Sequence, residues 1–238
     1  MSNQEQFPIV VPHQGVEHVA ARLDRPETEG GEAEPKPAAV FVMAHGAGAG
    51  LDSDFMEAAA KAIADAAGVA VLRFNYAYAE KMQRNGSRLP PEPRRALQVV
   101  HAAIFAWARE RFPDMPLIGG GKSMGARIAS LMAADGEPLD GLCFLGYPLH
   151  PAGKPEKLRT EHFPKLKLPM LFLQGSRDAL CDLELLRPAL ETLGQKPTLQ
   201  VIEGGDHSFS VLKRSGRTPE EVLGEIARGF ADWVRTLA

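Results

Sequence analysis

The sequence predicts an α/β fold: a mostly parallel, twisted sheet of about seven or eight strands, with helices on both faces and no separate lid domain. Three observations carry this expectation. Continuous apolar runs such as residues 38–44 and 169–174 read as strands covered on both faces. Segments with apolar residues at helical spacing alternate with those runs, as crossover connections in a parallel sheet require. Glycine-bearing loops follow several of the runs, where the functional groups of such a sheet collect.

Taken in order, residues 7–11 and 18–23 read as two short strands at a sheet edge, the second alternating apolar and polar. Residues 27–37 are rich in Glu, Gly and Pro and read as a solvated hairpin loop. After the 38–44 strand, residues 54–67 form a helix, capped by Ser53 or Asp54, with Glu57 in its first turn and Gly68 as its stop. Residues 69–74 are the next buried strand, and 75–93 an irregular basic stretch closed by prolines. Residues 94–111 make a long amphipathic helix with Leu97, Val100, Ile104 and Trp107 on one face, Trp107 belonging to the core. An apolar pair, Leu117 and Ile118, leads into glycines and then into a helix over 126–134. A strand over 139–145 precedes a proline-rich excursion, 146–168. A strand over 169–174, a helix over 182–193, a strand over 198–202 and a closing helix over 219–237 complete the chain, with Phe230 and Trp233 on the last helix's apolar face. No internal repeat interrupts this order, and one domain over 1–238 is expected.

Composition bounds the function. With 238 residues and 45% apolar content the chain can bury a substantial core. A net charge of −3 argues against nucleic acid or an anionic membrane surface as the main partner. The amino end lacks a basic and then apolar leader, and no run of 18 apolar residues occurs, so a cytoplasmic location is expected. The two cysteines, Cys143 and Cys181, form no metal-ligand spacing, and Cys143 lies in an apolar run as a small buried hydrophobe. The sequence leaves the oligomeric state open.

The chemistry concentrates at Gly121-Lys-Ser-Met-Gly125, a G-x-S-x-G pentapeptide at a strand-to-helix corner. A serine hydroxyl stands clear of a sheet only on a strained turn, and its neighbours must be small so that strand and helix pass closely. The same Gly-Lys-Ser imitates the end of a phosphate-binding loop, but the glycine that loop requires falls at Pro116. A serine corner needs partners, and the strand ends supply them. His45-Gly-Ala-Gly-Ala-Gly50 follows the 38–44 strand, Asn75 and Tyr76 follow 69–74, Gly175-Ser-Arg-Asp178 follows 169–174, and Gly204-Gly-Asp-His-Ser-Phe209 follows 198–202.

Serine, aspartate and histidine thus stand in that chain order, each just past a strand end, and on these residues the chain resembles an α/β-hydrolase. It is similar to the small, lidless, dienelactone-hydrolase-like branch, from the His45-Gly46 loop to Phe209. Gly146-Tyr-Pro-Leu-His-Pro-Ala-Gly-Lys-Pro155, Gly-Lys-Ser-Met-Gly and Gly-Asp-His-Ser-Phe narrow it to predicted hydrolases, mostly of unassigned substrate, that include testis-expressed relatives in animals. Dienelactone hydrolases carry cysteine where this chain has Ser123, so their substrate does not transfer.

The resemblance implies Ser123 as nucleophile, His207 as general base and Asp178 as the acid that orients the imidazole, with Asp206 and Asp182 as rival acids. It implies an oxyanion hole from the amides of Met124 and Ala47, with Gly48 as the alternative to Ala47. His45, Gly48, Lys122, Tyr76 and His150 are tentative substrate-binding residues. Lys122 either draws anionic substrates or faces away to a surface carboxylate. Arg73, Arg84, Arg88, Arg94 and Arg95 form either an anion-recognising rim or a solvated basic loop. His150, Arg159 and His162 lie in the 146–168 excursion, expected to overhang the mouth. The implied activity is cleavage of a small carboxylic ester or thioester, a small-molecule acyl substrate, through an acyl-serine. It requires no metal or organic cofactor. A short-peptide peptidase or acyltransferase on the same residues, or a non-catalytic binding or scaffold protein of this fold, is the competing reading.

Overall fold

The computed structural model describes residues 4–13, 15–27 and 36–237. Its strands are β1 (Gln4–His13), β2 (Val16–Asp24), β3 (Val40–Ala44), β4 (Ala70–Phe74), β5 (Leu117–Lys122), β6 (Gly141–Leu145), β7 (Met170–Gly175) and β8 (Thr198–Ile202). Its helices are α1 (Asp54–Ala67), α2 (Ala77–Asn85), α3 (Arg94–Arg111), α4 (Met124–Ala134), α5 (Leu183–Leu190) and α6 (Pro219–Val234). The strands form one eight-stranded sheet in the order β1-β2-β4-β3-β5-β6-β7-β8. The β1–β2 and β2–β4 pairs are antiparallel, and every later pair is parallel.

Period-two alternation divides the core. Val40, Val42 and Ala44 of β3 face α3, whereas Phe41 and Met43 face α1 and α6. In β6 and β7, Leu142, Phe144 and Phe172 pack under α4 and α5, and Cys143, Leu145 and Leu171 turn to the other side. Both faces are covered, so these strands read as continuous apolar runs instead of alternating ones. Trp107 lies against Phe7 with ring centroids 4.7 Å apart, a core contact.

Three expectations change. The 27–37 connection is not a hairpin, because β4 lies between β2 and β3 in the sheet; residues 28–35 are outside the described residues. The basic stretch after β4 is not wholly irregular: Ala77–Asn85 is helical, stopped by Gly86 in the left-handed conformation at φ 62°. Its Ala, Glu, Lys, Met, Gln and Arg are all good helix formers. The edge strands are longer than their apolar centres, since pairing extends β1 and β2 through polar residues from Gln4↔Asp24 to His13↔Val16. Among the described residues, no helix is long and apolar enough to cross a membrane.

The chain leaves β3 to build β4 on one side and later returns to build β5 on the other. The connections therefore diverge above the carboxyl ends of β3 and β5, which opens a crevice there. Gly46 and Ser123 meet in it: a Cβ built on Gly46 would lie 3.6 Å from the Ser123 Cβ.

Candidate active site

Strand β5 delivers the chain to Ser123, and α4 leaves from it. Ser123 holds φ 50° and ψ −108°, a conformation rare outside glycine that costs ~1–3 kcal/mol. Its amide donates to the Leu145 carbonyl of β6 at 3.2 Å, and its carbonyl accepts the Arg127 amide of α4 at 3.1 Å. The flanking glycines are required by Ala44 at the end of β3. A Cβ on Gly121 would lie 2.1 Å from the Ala44 carbonyl oxygen, and one on Gly125 would lie 2.4 Å from it.

Three strand ends then converge. The Ser123 Oγ lies 2.8 Å from His207 Nε2, and His207 Nδ1 lies 2.7 Å from Asp178 Oδ2. The Asp178 carboxylate is fully shielded, since its side chain has 0% exposure, while the imidazole keeps 25%. Asp178 also accepts from Gln174 Nε2 at 2.7 Å and from the Leu180 amide at 2.8 Å. A carboxylate with three donors is anchored and acceptor-only, which assigns the imidazole proton to Nδ1 and leaves Nε2 to accept from the serine. Gln174 is the member that sequence reasoning passed over. The available signal was its amide at the end of the apolar run of β7.

The rival acids have other work. Asp206 Oδ1 accepts from the Ser208 and Ser210 amides, at 2.8 and 2.9 Å, and shapes the turn that carries His207. Asp182 caps α5 through the Glu184 amide at 2.9 Å.

Lys122 takes neither of its expected directions. It is 9% exposed and runs beneath the His207 turn, where Nζ donates to the His207 carbonyl oxygen. The ammonium lies 5.9 and 5.4 Å from the ring centroids of Phe55 and Phe209, which stack on each other. Burial lowers its pKa to about 8, opposed by the negative charges of Asp178 and Asp206.

The loop after β3 is fixed from below. His45 is fully buried; its Nδ1–H donates to the Gly46 carbonyl at 2.8 Å and its Nε2 accepts the Tyr76 amide at 3.2 Å. Burial drops its pKa to about 4, so the ring is neutral. Asn75 Oδ1 accepts the Leu51 amide at 2.8 Å and Tyr78 OH reaches the Gly46 carbonyl at 3.4 Å, closing the loop on both sides. Ala47 and Gly48 are exposed, Gly48 with φ 73°. Met124 is the first residue of α4, so its N–H has no helical acceptor. Neither the Ala47 nor the Met124 amide donates to a backbone acceptor among the described residues.

Several tentative substrate-binding residues are placed elsewhere. Tyr76 is fully buried, with its hydroxyl 3.1 Å from His101 Nδ1. His45 is a buried link, as above. His150 is 4% exposed; its Nε2 accepts the Asp182 amide at 3.1 Å, tying the excursion to the loop that carries Asp178. His162 is buried against α4, 2.8 Å from Ser130 Oγ. Of the two readings of the basic residues, an anion-recognising rim or a solvated loop, the rim does not assemble. Arg73 is fully buried in β4 and holds Asp24 through two hydrogen bonds of 2.7 and 3.0 Å. Arg94 pairs with Asp135 at 2.6 Å, Arg84 lies beside a cavity of His13, Val16 and His18 at the sheet edge, and Arg88 and Arg95 are exposed. Among the described residues, no group of three or more His, Cys, Asp or Glu side chains is placed to hold a metal ion.

A family model described as alpha/beta hydrolase domain matches residues 37–235. Among solved structures, an alpha-beta serine hydrolase homologue from Coxiella burnetii superposes with a TM-score of 0.72 at 20% identity, covering 100% of this chain and 99% of that one. A dienelactone hydrolase from Anabaena variabilis gives 0.70 at 19% identity over 98% of each chain. A lidless α/β serine hydrolase from Xanthomonas campestris gives 0.68 at 21% identity, covering 98% of this chain and 96% of that one. These likenesses are of fold.

Proposed function

The chain belongs to the alpha/beta hydrolase domain family, and from that membership we propose that it is a serine hydrolase that cleaves a small carboxylic ester or thioester through an acyl-serine intermediate. The observation that carries the reading is the unbroken series from Ser123 Oγ through the His207 ring to Asp178, at 2.8 and 2.7 Å. In this reading His207 Nε2 takes the Ser123 proton as Oγ attacks the acyl carbon. The carbonyl oxygen becomes an oxyanion, facing the free amides of Met124 and Ala47 at the positive end of α4. Asp178 holds the imidazolium by charge and orientation, and does not itself take the proton. The imidazolium returns its proton to the leaving alkoxide or thiolate as that bond breaks. Water then gives its proton to His207 and attacks the acyl-serine, releasing the acid and restoring Ser123.

The strain at Ser123 and the tight contacts of Gly121 and Gly125 with Ala44 favour this reading over a scaffold that merely keeps the fold, because strained corners persist where a function holds them. The open placement of Ala47 and Gly48 suits small, accessible acyl substrates. The test is hydrolysis of a chain-length series of 4-nitrophenyl esters and acyl thioesters by wild type, Ser123→Ala and His207→Gln. Turnover by the wild type alone supports the proposal. Equal rates in all three would discard it.

A further inference from the structure

Arg127 stands one turn along α4 from Ser123 and donates its amide to the Ser123 carbonyl at 3.1 Å. Its guanidinium Nε is closed off from solvent and has no acceptor, and no carboxylate among the described residues pairs with it. Four other arginines of low exposure do meet carboxylates: Arg22 with Asp52, Arg73 with Asp24, Arg109 with Glu137 and Arg217 with Glu225. An unpaired buried donor on a charged group is costly, so such a group normally has a partner.

Arg159 shares the same seam. Ser130, three residues beyond Arg127 and on the same helix face, lies 2.8 Å from His162, and the Tyr147 hydroxyl donates to the Arg159 carbonyl at 2.9 Å. Arg159 is half-buried and reaches only the Pro148 carbonyl, at 3.4 Å. Its pKa is lowered, first by burial and next by the charge of Arg127. Two acids have their charges felt in the seam. Asp135 is taken up by Arg94 at 2.6 Å, and Glu161 is exposed and forms no ion pair with either arginine. His162 Nδ1 is a second buried atom of the seam without a partner.

Long helical side chains lean back over the preceding turn, so Arg127 covers ground beside Ser123. Four residues of helix span ~6 Å along the axis, the reach of several bonds from an acyl carbon on Ser123. A guanidinium recognises a carboxylate through paired N–H donors. We propose that this seam is a carboxylate subsite, and that the substrate is an ester or thioester whose acyl part carries a second, free carboxylate held by Arg127 and Arg159. The inference rests on the reading of Ser123 as nucleophile.

The test compares the mono-4-nitrophenyl esters of glutarate and adipate with their methyl-capped neutral counterparts, each kcat/KM normalised to sites titrated at Ser123 with a phosphonate. The wild type is expected to prefer the anionic member at least tenfold, and added KCl should erode that preference. Arg127→Met and Arg159→Met should each lower the anionic-to-neutral ratio about tenfold, and Arg127→Lys should lower it less. Circular dichroism checks folding, and Arg159→Met, on an irregular segment, serves where Arg127→Met fails to fold. A ratio near one, insensitive to salt and to both variants, overturns the subsite while phosphonate uptake leaves the hydrolase reading standing. Where Ser123 takes no phosphonate, the hydrolase reading fails by itself, and calorimetry with adipate decides the subsite. Adipate binding lost in Arg159→Met supports it; no binding to wild type overturns it.

Discussion

The Lys122 ammonium donates to the His207 carbonyl oxygen, so the residue just before Ser123 holds the turn that carries its hydrogen-bond partner. Phe209, which closes that turn at φ 61°, lies under the same ammonium. One side chain thereby sets the spacing between β5 and the loop after β8. Lys122→Met keeps the length and removes both the donor and the charge. It is expected to lower kcat roughly 10- to 100-fold, since small displacements of a reacting group carry penalties of that order. Steady-state kinetics per titrated Ser123 site separates this from a loss of folded protein.

The same lysine gives a pH dependence of stability. Its folded pKa of about 8 lies below the unfolded value of 10.5, so between those values the unfolded chain binds the proton more tightly. The contribution to stability therefore rises as pH climbs through that window and is flat below it. The unfolding free energy of wild type relative to Lys122→Met should increase by ~1 kcal/mol or more between about pH 7.5 and pH 10. Urea denaturation across that range measures it.

Replacing Ser123 by Gly removes the side chain from a backbone conformation that only glycine adopts freely. Relief of strain outweighs the entropy cost of glycine, and a gain of ~1 kcal/mol is expected together with complete loss of esterase activity. Chemical denaturation and a 4-nitrophenyl ester assay on the same preparation read both quantities.

Gly125→Ala should fail in the opposite way. Its methyl would lie 2.4 Å from the Ala44 carbonyl oxygen, which is main chain in a central strand and cannot step aside. A loss of roughly 3 kcal/mol is expected, with Ser123 displaced and activity lost in whatever fraction folds. A thermal melt beside Ser123→Gly gives the contrast.

Asp178→Asn keeps the shape but places an amide where His207 Nδ1–H and Gln174 Nε2 both donate. The ring is expected to adopt the wrong tautomer, and kcat should fall by roughly 10³–10⁴. Asp206→Asn, which alters the turn and not the ring partner, should cost far less. Parallel kinetics of the two variants distinguishes them.

Much of this was legible in the sequence for definite reasons. The parallel core strands were visible because both faces are covered, and α1 and α3 because their apolar residues keep helical spacing. The chain order Ser123, Asp178, His207 was visible because each follows a strand end. What escaped depends on direction or on distant partners. No local pattern shows that Lys122 turns under the His207 turn, 85 residues away. Nor does it show that Arg73 is neutralised by Asp24, 49 residues earlier, or that Gln174 supports Asp178. Helix α2 was hidden just before Gly86 and a cluster of prolines, which mark a loop more loudly than seven good helix formers mark a helix.

The most direct test is labelling with a fluorophosphonate, followed by peptide mass spectrometry, on wild type and Ser123→Ala. One phosphonate per folded chain on Ser123, absent from the alanine variant, is the expected result of a serine activated by His207. A folded wild type that takes no label, or takes it equally with Ser123 removed, would contradict an acyl-serine mechanism and leave a hydrolase fold in search of a binding partner.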